Sequence, residues 1–343
     1  MTTTIPATQK ALEIVSFGDP LKGALRLNPS ASVPKPGPGQ VLLRMRYACL
    51  NPADVFVVQG LYPGVAAVRE RRTGFVGGLE GVGQVVAQGP ATSLPVGTRV
   101  VPGLSDRTGC WQQYLVVDEN VCIKVPEGVD DKAAAQLIVN PVTVVGMLER
   151  IEAEAPVHGN PWIAQTAANS TLGRMFIQLA KKRGFCTVNI IRSKASAAEL
   201  KQLGADEVVV FSEESNFAQR IEAITNGRGL AAVVDAVGGD IGSAALAALA
   251  PGGLFLGYGL QSGEPTRVMN SDLIFKEIVV RGFWLATWLK KQKETIFGDV
   301  FEMIRKGEMQ PQVEQEFPLD QYEEAFRAQF APDRKGKILL KLN

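Results

Sequence analysis

The sequence predicts an α/β protein in which a doubly wound parallel sheet is combined with a separate β-rich unit. Two observations lead to this prediction. The first third of the chain contains short runs of β-branched residues broken by Gly and Pro, whereas helical patterns alternate with short apolar runs from about Asp131 onward. The length of 343 residues, about twice that of a typical domain, suits two units.

The β-rich part begins after a turn signal at residues 35–40, where Pro and Gly alternate. β-branched residues then recur in short runs at residues 41–47, 83–88, 98–101 and 114–117. Short runs separated by turns predict an antiparallel, partly closed sheet.

A long helical pattern marks the second part. Asp130 or Asp131 can cap a helix that continues to Glu152, although Pro141 must bend or interrupt it. Strand candidates follow at residues 162–165, 187–191, 207–211, 232–235, 253–257 and 278–283. Helical stretches lie between them at residues 172–182, 195–203, 216–225 and 243–250. This alternation predicts a parallel sheet covered by helices.

The last part of the chain returns to amphipathic helices at residues 296–306 and 321–328 and ends in a strand at residues 337–341. We therefore expect one domain at residues 132–288. A second domain should combine residues 1–131 with residues 289–343.

Composition excludes several classes of partner. A net charge of +1 gives no electrostatic basis for nucleic-acid binding, and no apolar run is long enough for a membrane span. The first residues resemble no signal or transit peptide, which favours a cytoplasmic location, although a mature mitochondrial protein would look the same. Four scattered cysteines indicate unpaired thiols. His158, the single histidine, lies in a predicted loop, so the mechanism should work without histidine.

A candidate cofactor site follows the strand at residues 162–165. Aligned to GxGxxG, the segment Ala168-Asn169-Ser170-Thr171-Leu172-Gly173 keeps only the last glycine, which lets the helix pack closely on its strand. Small residues still let the backbone approach a phosphate, and the amides at the helix N-terminus can bind an anion. Alternatively, Ser170 only caps an ordinary helix.

Basic residues stand where an NAD-binding unit would place a carboxylate. About twenty residues after the turn come Arg192, Ser193 and Lys194, which could pair with a 2′-phosphate. The cofactor predicted from this pattern is NADPH. The alternative is that Arg192 and Lys194 are solvated loop charges.

The whole arrangement resembles the medium-chain dehydrogenase/reductase superfamily. Four segments carry this resemblance over nearly the whole chain: Asn51-Pro52-Ala53-Asp54, residues 77–83 (GGLEGVG), residues 203–206 (LGAD) and residues 234–239 (VDAVGG). The resemblance implies a Rossmann domain that binds NADPH and a GroES-like catalytic domain. It also implies a homodimer formed through the edge of the cofactor sheet.

Zinc ligands are missing from this pattern. In the zinc-containing members a Cys stands at the position of Asn51 and a His at that of Leu79. Neither an amide nor an isobutyl group can replace those ligands, so we expect no metal.

Three further segments resemble the 2-enoyl thioester reductases of mitochondrial fatty acid synthesis and their bacterial relatives. These are residues 139–143 (VNPVT), the glycine-poor turn at residues 168–170, and residues 273–276 (LIFK) followed by residues 281–285 (RGFWL). Leu79, where those reductases usually carry Asn, and the basic insertion at residues 68–72 depart from the family.

The resemblance implies NADPH-dependent reduction of the 2,3 double bond of a trans-2-enoyl thioester, carried by coenzyme A or an acyl carrier protein. Tyr62 would donate a proton or a hydrogen bond, and Asn140 would bond to the nicotinamide or to the phenol. Cofactor contacts are expected from Thr143, Asn169, Ser170, Thr171, Leu172, Gly173, Arg192, Ser193, Lys194, Tyr258, Gly259, Leu260, Phe283, Trp284 and Leu285.

Other interpretations remain open from the sequence. Tyr62 could only line the pocket, Phe283 and Trp284 could be core residues, and the arginines at residues 69, 71 and 72 could be solvated or could meet phosphates. The alternative function is an NADPH:quinone oxidoreductase, and a third is a non-catalytic NADPH-binding protein. The acyl chain length and the carrier do not follow from the sequence.

Overall fold

The computed structural model describes residues 4–103, 109–293, 295–332 and 334–343. The chain divides into two compact units. The catalytic unit comprises Met1–Val139, Glu294–Arg305 and Gln310–Asn343, and the cofactor unit comprises Asn140–Lys293 and Lys306–Met309. The expected mixed α/β fold, with a β-rich unit and a separate parallel sheet covered by helices, is confirmed.

The strands are, in chain order, β1 Thr8–Ile14, β2 Leu25–Ser32, β3 Gln40–Cys49, β4 Phe75–Val76, β5 Gly81–Gln88, β6 Arg99–Pro102, β7 Tyr114–Asp118, β8 Cys122–Lys124, β9 Trp162–Gln165, β10 Cys186–Ile191, β11 Glu207–Val210, β12 Leu230–Asp235, β13 Leu249–Gly257, β14 Val279–Gly282, β15 Val313–Pro318 and β16 Lys337–Lys341.

The α-helices are α1 Pro52–Val58, α2 Ala66–Arg69, α3 Asp131–Ala134, α4 Thr143–Glu154, α5 Thr171–Lys182, α6 Ala197–Leu203, α7 Phe217–Ile224, α8 Gly239–Ala247, α9 Asn270–Phe275, α10 Leu285–Leu289, α11 Ile296–Arg305 and α12 Tyr322–Phe330. None of the helices in the described ranges is long and apolar enough to cross a membrane.

The catalytic unit is built around β3. This strand pairs antiparallel with β5, β7 and β16, while β15 runs parallel to β16 at the end of the sheet. β1 and β2 form a second antiparallel ribbon with β4. The core is closed by Trp111 and Phe326, both fully buried, whose rings meet edge to face at a centroid distance of 5.5 Å.

The cofactor unit has the sheet order β11-β10-β9-β12-β13-β14, with every neighbouring pair parallel. Successive strands are added on one side from β9 to β11 and on the other side from β12 to β14, so the strand order reverses between β9 and β12, which is the topological switch point of a dinucleotide-binding sheet. Crossover helices must cover both faces of a parallel sheet, and β12 is accordingly buried along its whole length.

The segment after Asp130 differs from the single long helix that was expected. Asp130 caps α3 by accepting the N–H of Ala133 at 2.8 Å, and a π turn at Ile138–Val142 containing Pro141 precedes α4. The boundary between the units falls after Val139, inside the segment that the sequence assigned to the cofactor domain. The reason is local: the Glu80 carboxylate of the catalytic unit accepts the N–H groups of Ile138 and Val139.

Candidate active site

The carboxyl ends of the parallel strands form one edge of the cofactor unit, which we call the cofactor edge. Four segments follow these strand ends: the turn after β9, residues 192–194 after β10, residues 258–260 after β13 and residues 283–285 after β14. The fold therefore brings most of the cofactor-binding residues expected from the sequence to one edge, where ligands of doubly wound sheets bind.

Two buried polar residues join β9 to β12 across the switch point. The Thr166 hydroxyl donates to Asp235 Oδ1 at 2.6 Å and accepts the N–H of Ala236 at 2.9 Å. Asp235 also accepts the N–H groups of Val237 and Gly238. These bonds hold the chain after β9 against the end of β12 at the cofactor edge. The role of both residues does not follow from the sequence, because their pairing spans distant parts of the chain.

The turn after β9 is shaped to receive an anion. Ser170 caps α5, with its Oγ accepting the Gly173 N–H at 3.0 Å, so the capping interpretation of the sequence is correct. In the described residues, the N–H groups of Thr171 and Leu172 have no protein acceptor, as is usual in the first turn of a helix. A Cβ at Gly173 would lie 2.6 Å from the Ala168 carbonyl oxygen, so only glycine allows this close packing. The free amides can bind a phosphate.

A buried arginine holds this turn in place. Arg174, with 3% of its surface exposed, donates through Nε to the Asn169 carbonyl oxygen at 3.0 Å. Its other nitrogens donate to both carboxylate oxygens of Glu199, at 2.7 and 3.3 Å. Arg174 is not among the site residues expected from the sequence, although a charge within the apolar face of α5 is a signal that could have indicated a buried ion pair.

Arg192, Ser193 and Lys194 are exposed at the end of β10. The Lys194 ammonium lies 3.4 Å from Glu213 Oε1 in a solvated ion pair, and Ser193 Oγ accepts the Ala195 N–H at 3.3 Å. Arg192 makes no ion pair with any residue that the structure describes. Its guanidinium is therefore available for a 2′-phosphate.

The segment after β13 packs closely against the end of β12. Tyr258 N–H donates to the Asp235 carbonyl oxygen at 2.8 Å, and Gly259 N–H donates to the same oxygen at 3.3 Å. Burial raises the pKa of the Tyr258 phenol well above its usual value, and the Asp235 carboxylate adds to this effect. Tyr258 therefore stays protonated at neutral pH. Leu260 is 70% exposed.

The aromatic residues after β14 divide between two environments. Phe283 is buried, and its ring lies 6.2 Å from that of Trp288. Phe283 therefore has the core-packing role that the sequence left open. Trp284, by contrast, is 46% exposed, and Leu285 is partly buried at the start of α10.

Asn140 and Thr143 lie on either side of Pro141, in the π turn and at the first residue of α4. Each residue is 6% exposed. The Asn140 amide makes no hydrogen bond to any described residue. It is therefore available to bond a ligand.

Tyr62 lies in the catalytic unit, on the turn formed by residues 60–64, which we call the tyrosine turn. Its ring packs partly buried against the core of this unit. A Cβ at Gly64 would lie 2.5 Å from Tyr62 Cε1, so the turn presses closely on one face of the ring. The hydroxyl group bonds to none of the described residues. The ring is thus packed on one side, while its O–H remains available to donate.

The basic insertion is used by the tyrosine turn itself. Arg69 Nη1 donates to the Pro63 carbonyl oxygen at 2.9 Å, and Arg71 Nη1 donates to that of Gly60 at 3.2 Å. Arg72 pairs with the neighbouring Glu70 at 2.5 Å. These contacts favour a local structural role over a dedicated phosphate site. His158 is exposed in the turn before β9, as expected.

A buried polar cluster of the catalytic unit involves the segments at residues 51–54 and 79–80. It contains Asn51, Asp54, Glu80 and Lys337, each at most 3% exposed. Burial raises the pKa of Asp54 to about 7 and also raises the pKa of Glu80, while it lowers that of Lys337. Lys337 is not among the site residues expected from the sequence, because it is far from the other three in the chain.

The parallel sheet with its anion-binding turn, combined with a GroES-like unit, defines a nucleotide-dependent oxidoreductase. Comparison with family models supports this class: the alcohol dehydrogenase GroES-like domain matches residues 37–127, and the zinc-binding dehydrogenase family matches residues 171–304.

Relatives cover almost the whole chain. The mitochondrial enoyl-[acyl-carrier-protein] reductase of Dictyostelium discoideum is 31% identical, over 98% of this chain and 95% of the relative. The enzyme of the same name from Bos taurus is 33% identical, over 98% and 89%. The chain therefore belongs to the medium-chain dehydrogenase/reductase superfamily, among its zinc-free, enoyl reductase-like members.

Solved structures share the fold. The quinone oxidoreductase of Pseudomonas syringae has a TM-score of 0.84 at 27% identity and covers 97% of this chain and 99% of its own. Mycobacterial Rv1454c complexed with NADPH has a TM-score of 0.83 at 26% identity, with 97% and 100% covered. The Etr1p complex with NADP and crotonyl-CoA has a TM-score of 0.83, covers 97% and 99%, and at 23% identity shows the fold alone. The protein is an NADPH-dependent oxidoreductase.

The residues present do not fit a zinc ion, despite the name of the matching family. Asn51 Nδ2 donates to Glu80 Oε1 at 2.9 Å, and Leu79 offers only an apolar side chain. Glu80 in turn already accepts three donors. No thiolate or imidazole stands at either ligand position, so we assign no step to a metal.

Proposed function

We propose that this enzyme reduces the 2,3 double bond of a trans-2-enoyl thioester. The observation that carries the proposal is the similarity, over nearly the full chain, to proteins named enoyl-[acyl-carrier-protein] reductase. The free phenol of Tyr62 supports it, because this reaction needs a proton donor and the chain has only one histidine, which is exposed.

NADPH supplies the hydride that adds to Cβ of the substrate. The electron pair of the double bond then moves onto the thioester as an enolate, and Cα must receive a proton. We assign this proton, or the hydrogen bond that stabilises the enolate oxygen, to the Tyr62 O–H. Solvent then reprotonates the phenol. The thioester bond stays intact.

The remaining site residues receive roles from their surroundings. The amides of Thr171 and Leu172, together with Ser170, would hold the pyrophosphate, and Arg192 and Lys194 the 2′-phosphate. Asn140 would bond the nicotinamide. Thr143, Asn169, Gly173, residues 258–260 and residues 283–285 would line the cofactor, with Phe283 supporting from the core.

Quinone reduction is the second candidate, because the Pseudomonas syringae structure with that name is similar over the full length. A quinone needs no proton at a carbon atom, so the two functions differ in their dependence on Tyr62. We expect Tyr62→Phe to lower kcat with crotonyl-CoA on the order of a hundredfold, the usual contribution of a general acid. NADPH affinity should stay unchanged.

The test follows NADPH oxidation by crotonyl-CoA, by a medium-chain trans-2-enoyl-CoA and by an ortho-quinone, with wild type and Tyr62→Phe. Tyr114→Phe, at a buried tyrosine of β7, is the matched control and should keep its turnover. Oxidation by the quinone alone would contradict the proposal. Equal turnover of wild type and Tyr62→Phe with crotonyl-CoA would remove Tyr62 from the mechanism.

We also propose a homodimer formed through β14, the end strand of the cofactor sheet. Val280 on this strand and Ile274 and Phe275 on the neighbouring α9 are 42%, 65% and 82% exposed. Large apolar side chains at an unpaired strand edge are typical of a surface that pairs with a second copy. The cytoplasmic location expected from the sequence stays a prediction, which cell fractionation tests.

A further inference from the structure

We propose that Lys337, Asn51 and Glu80 form a relay that positions the catalytic segments. The relay acts through other residues and touches no substrate. It rests on the proposed function in so far as it assigns catalytic roles to Tyr62 and Asn140.

The first part of the relay has a fixed direction. The Lys337 ammonium donates to Asn51 Oδ1, and Asn51 Nδ2 donates to Glu80 Oε1 at 2.9 Å. An ammonium can only donate and a carboxylate can only accept, so the Asn51 amide has a single orientation that serves both. Asn51 is 0%, Glu80 1% and Lys337 3% exposed, so water cannot replace these partners.

The second part of the relay ends next to Asn140. Glu80 Oε2 accepts the N–H of Ile138 at 3.1 Å and that of Val139 at 2.9 Å. These amides begin the π turn, in which Pro141 lacks an N–H of its own. Asn140 is the next residue along the chain. The carboxylate therefore fixes the backbone from which the Asn140 side chain projects.

A branch of the cluster reaches the helix that leads to Tyr62. Asn51 N–H donates to Asp54 Oδ2 at 2.8 Å, and Leu79 N–H donates to Asp54 Oδ1 at 2.9 Å. Asn51 and Asp54 form the first turn of α1. The end of α1 continues into the tyrosine turn through the bond from Leu61 N–H to the Phe56 carbonyl oxygen at 2.8 Å. One buried cluster thus anchors both catalytic segments.

The first test needs no variant. Amide hydrogen exchange of the wild-type chain should show Ile138 and Val139 protected to the same degree as the amides of β3. Exchange at the rate of exposed turns would overturn the relay. This result does not depend on which acceptor the enzyme reduces, so it separates the relay from the proposed function.

The second test compares Glu80→Gln, Lys337→Met and the double variant. Each single change leaves a buried partner unsatisfied and should lower Tm, whereas the double variant replaces the opposite charges together and should regain much of that loss. A glutamine has one acceptor oxygen and cannot serve all three donors. We expect kcat with crotonyl-CoA to stay reduced in the double variant, on the order of a hundredfold, with NADPH Kd unchanged.

The control is Gln9→Met, a buried polar residue of the same unit that accepts the Tyr114 N–H and donates to Gln112. It should lower Tm without lowering kcat. If the double variant regains kcat together with Tm, the cluster only stabilises the fold and the proposal is overturned. A Glu80→Gln variant with wild-type kcat would also overturn it. If none of the variants folds, the exchange measurement decides.

Discussion

Substitution of Arg192 by Ala tests how the enzyme distinguishes NADPH from NADH. Arg192 is exposed at the end of β10, and its guanidinium forms no ion pair within the described ranges. If it binds the 2′-phosphate, its removal weakens NADPH binding and leaves NADH binding unchanged, because NADH lacks that phosphate. The ratio of the two dissociation constants should therefore fall.

The size of the effect follows from the exposure of the site. A hydrogen bond to a charged group contributes about 1.5 to 3 kcal/mol, and solvent screening places an exposed contact at the lower end. About 1.4 kcal/mol corresponds to a factor of ten, so we expect the ratio to fall roughly tenfold. Lys194→Ala should have a smaller effect, because the Glu213 carboxylate at 3.4 Å already offsets part of that charge.

The assay is a fluorescence titration with NADPH and with NADH at one fixed ionic strength. Arg228→Ala is the matched control: its side chain is also exposed, but it donates to the Gly159 carbonyl oxygen just before β9, at the opposite end of the sheet. Its ratio should equal that of wild type. An equal loss of affinity for both cofactors in Arg192→Ala would refute the assignment.

Two further predictions concern assembly and pH. If β14 and α9 form the dimer surface, Phe275→Asp should halve the mass measured by light scattering. The control Phe330→Asp, at an exposed aromatic residue of the catalytic unit, should leave the mass unchanged. A monomeric wild type would contradict the dimer. Burial raises the pKa of Asp54 from 3.8 to about 7, so the folded chain keeps a proton that the unfolded chain has lost. Stability should therefore fall between about pH 4 and pH 7 by up to about 1.4 kcal/mol per pH unit, and Asp54→Asn should flatten this slope in urea unfolding. An identical slope in both proteins would show that Asp54 does not titrate there.

Local patterns predicted the elements of the cofactor sheet well. The strands β9, β11 and β14 lie within the expected segments, and β10 and β12 begin one and two residues earlier than expected, because buried parallel strands read as short apolar runs. By contrast, β13 begins at Leu249, where a helix was expected to continue to residue 250. Residues 248–250 are compatible with either structure, and the parallel register with β12 decides between them.

Long-range contacts could not be predicted in the same way. Lys337 reads as one of several lysines near the end of the chain, and its burial follows from the pairing of β16 with β3. The partner of Arg174 is a glutamate of α6 that no periodic pattern connects to α5. Such pairs depend on tertiary packing, so the sequence alone identified the turn at residues 168–173 but not the residue that holds it.

The glycine-poor turn shows which glycine positions of the dinucleotide motif need glycine for steric reasons and which accept other residues. The left-handed residue is Ala167, with φ of 50°, just before the aligned segment, and this conformation costs roughly 1–2 kcal/mol for a residue with a Cβ. Ser170 has an extended conformation, with φ of −67° and ψ of 162°, so no glycine is needed there, and its hydroxyl group supplies a cap that glycine could not. Only Gly173 meets a backbone atom at a distance that excludes any side chain. The missing glycines therefore do not argue against a cofactor site, because the geometry that binds an anion needs free amides and close packing, and this turn has both.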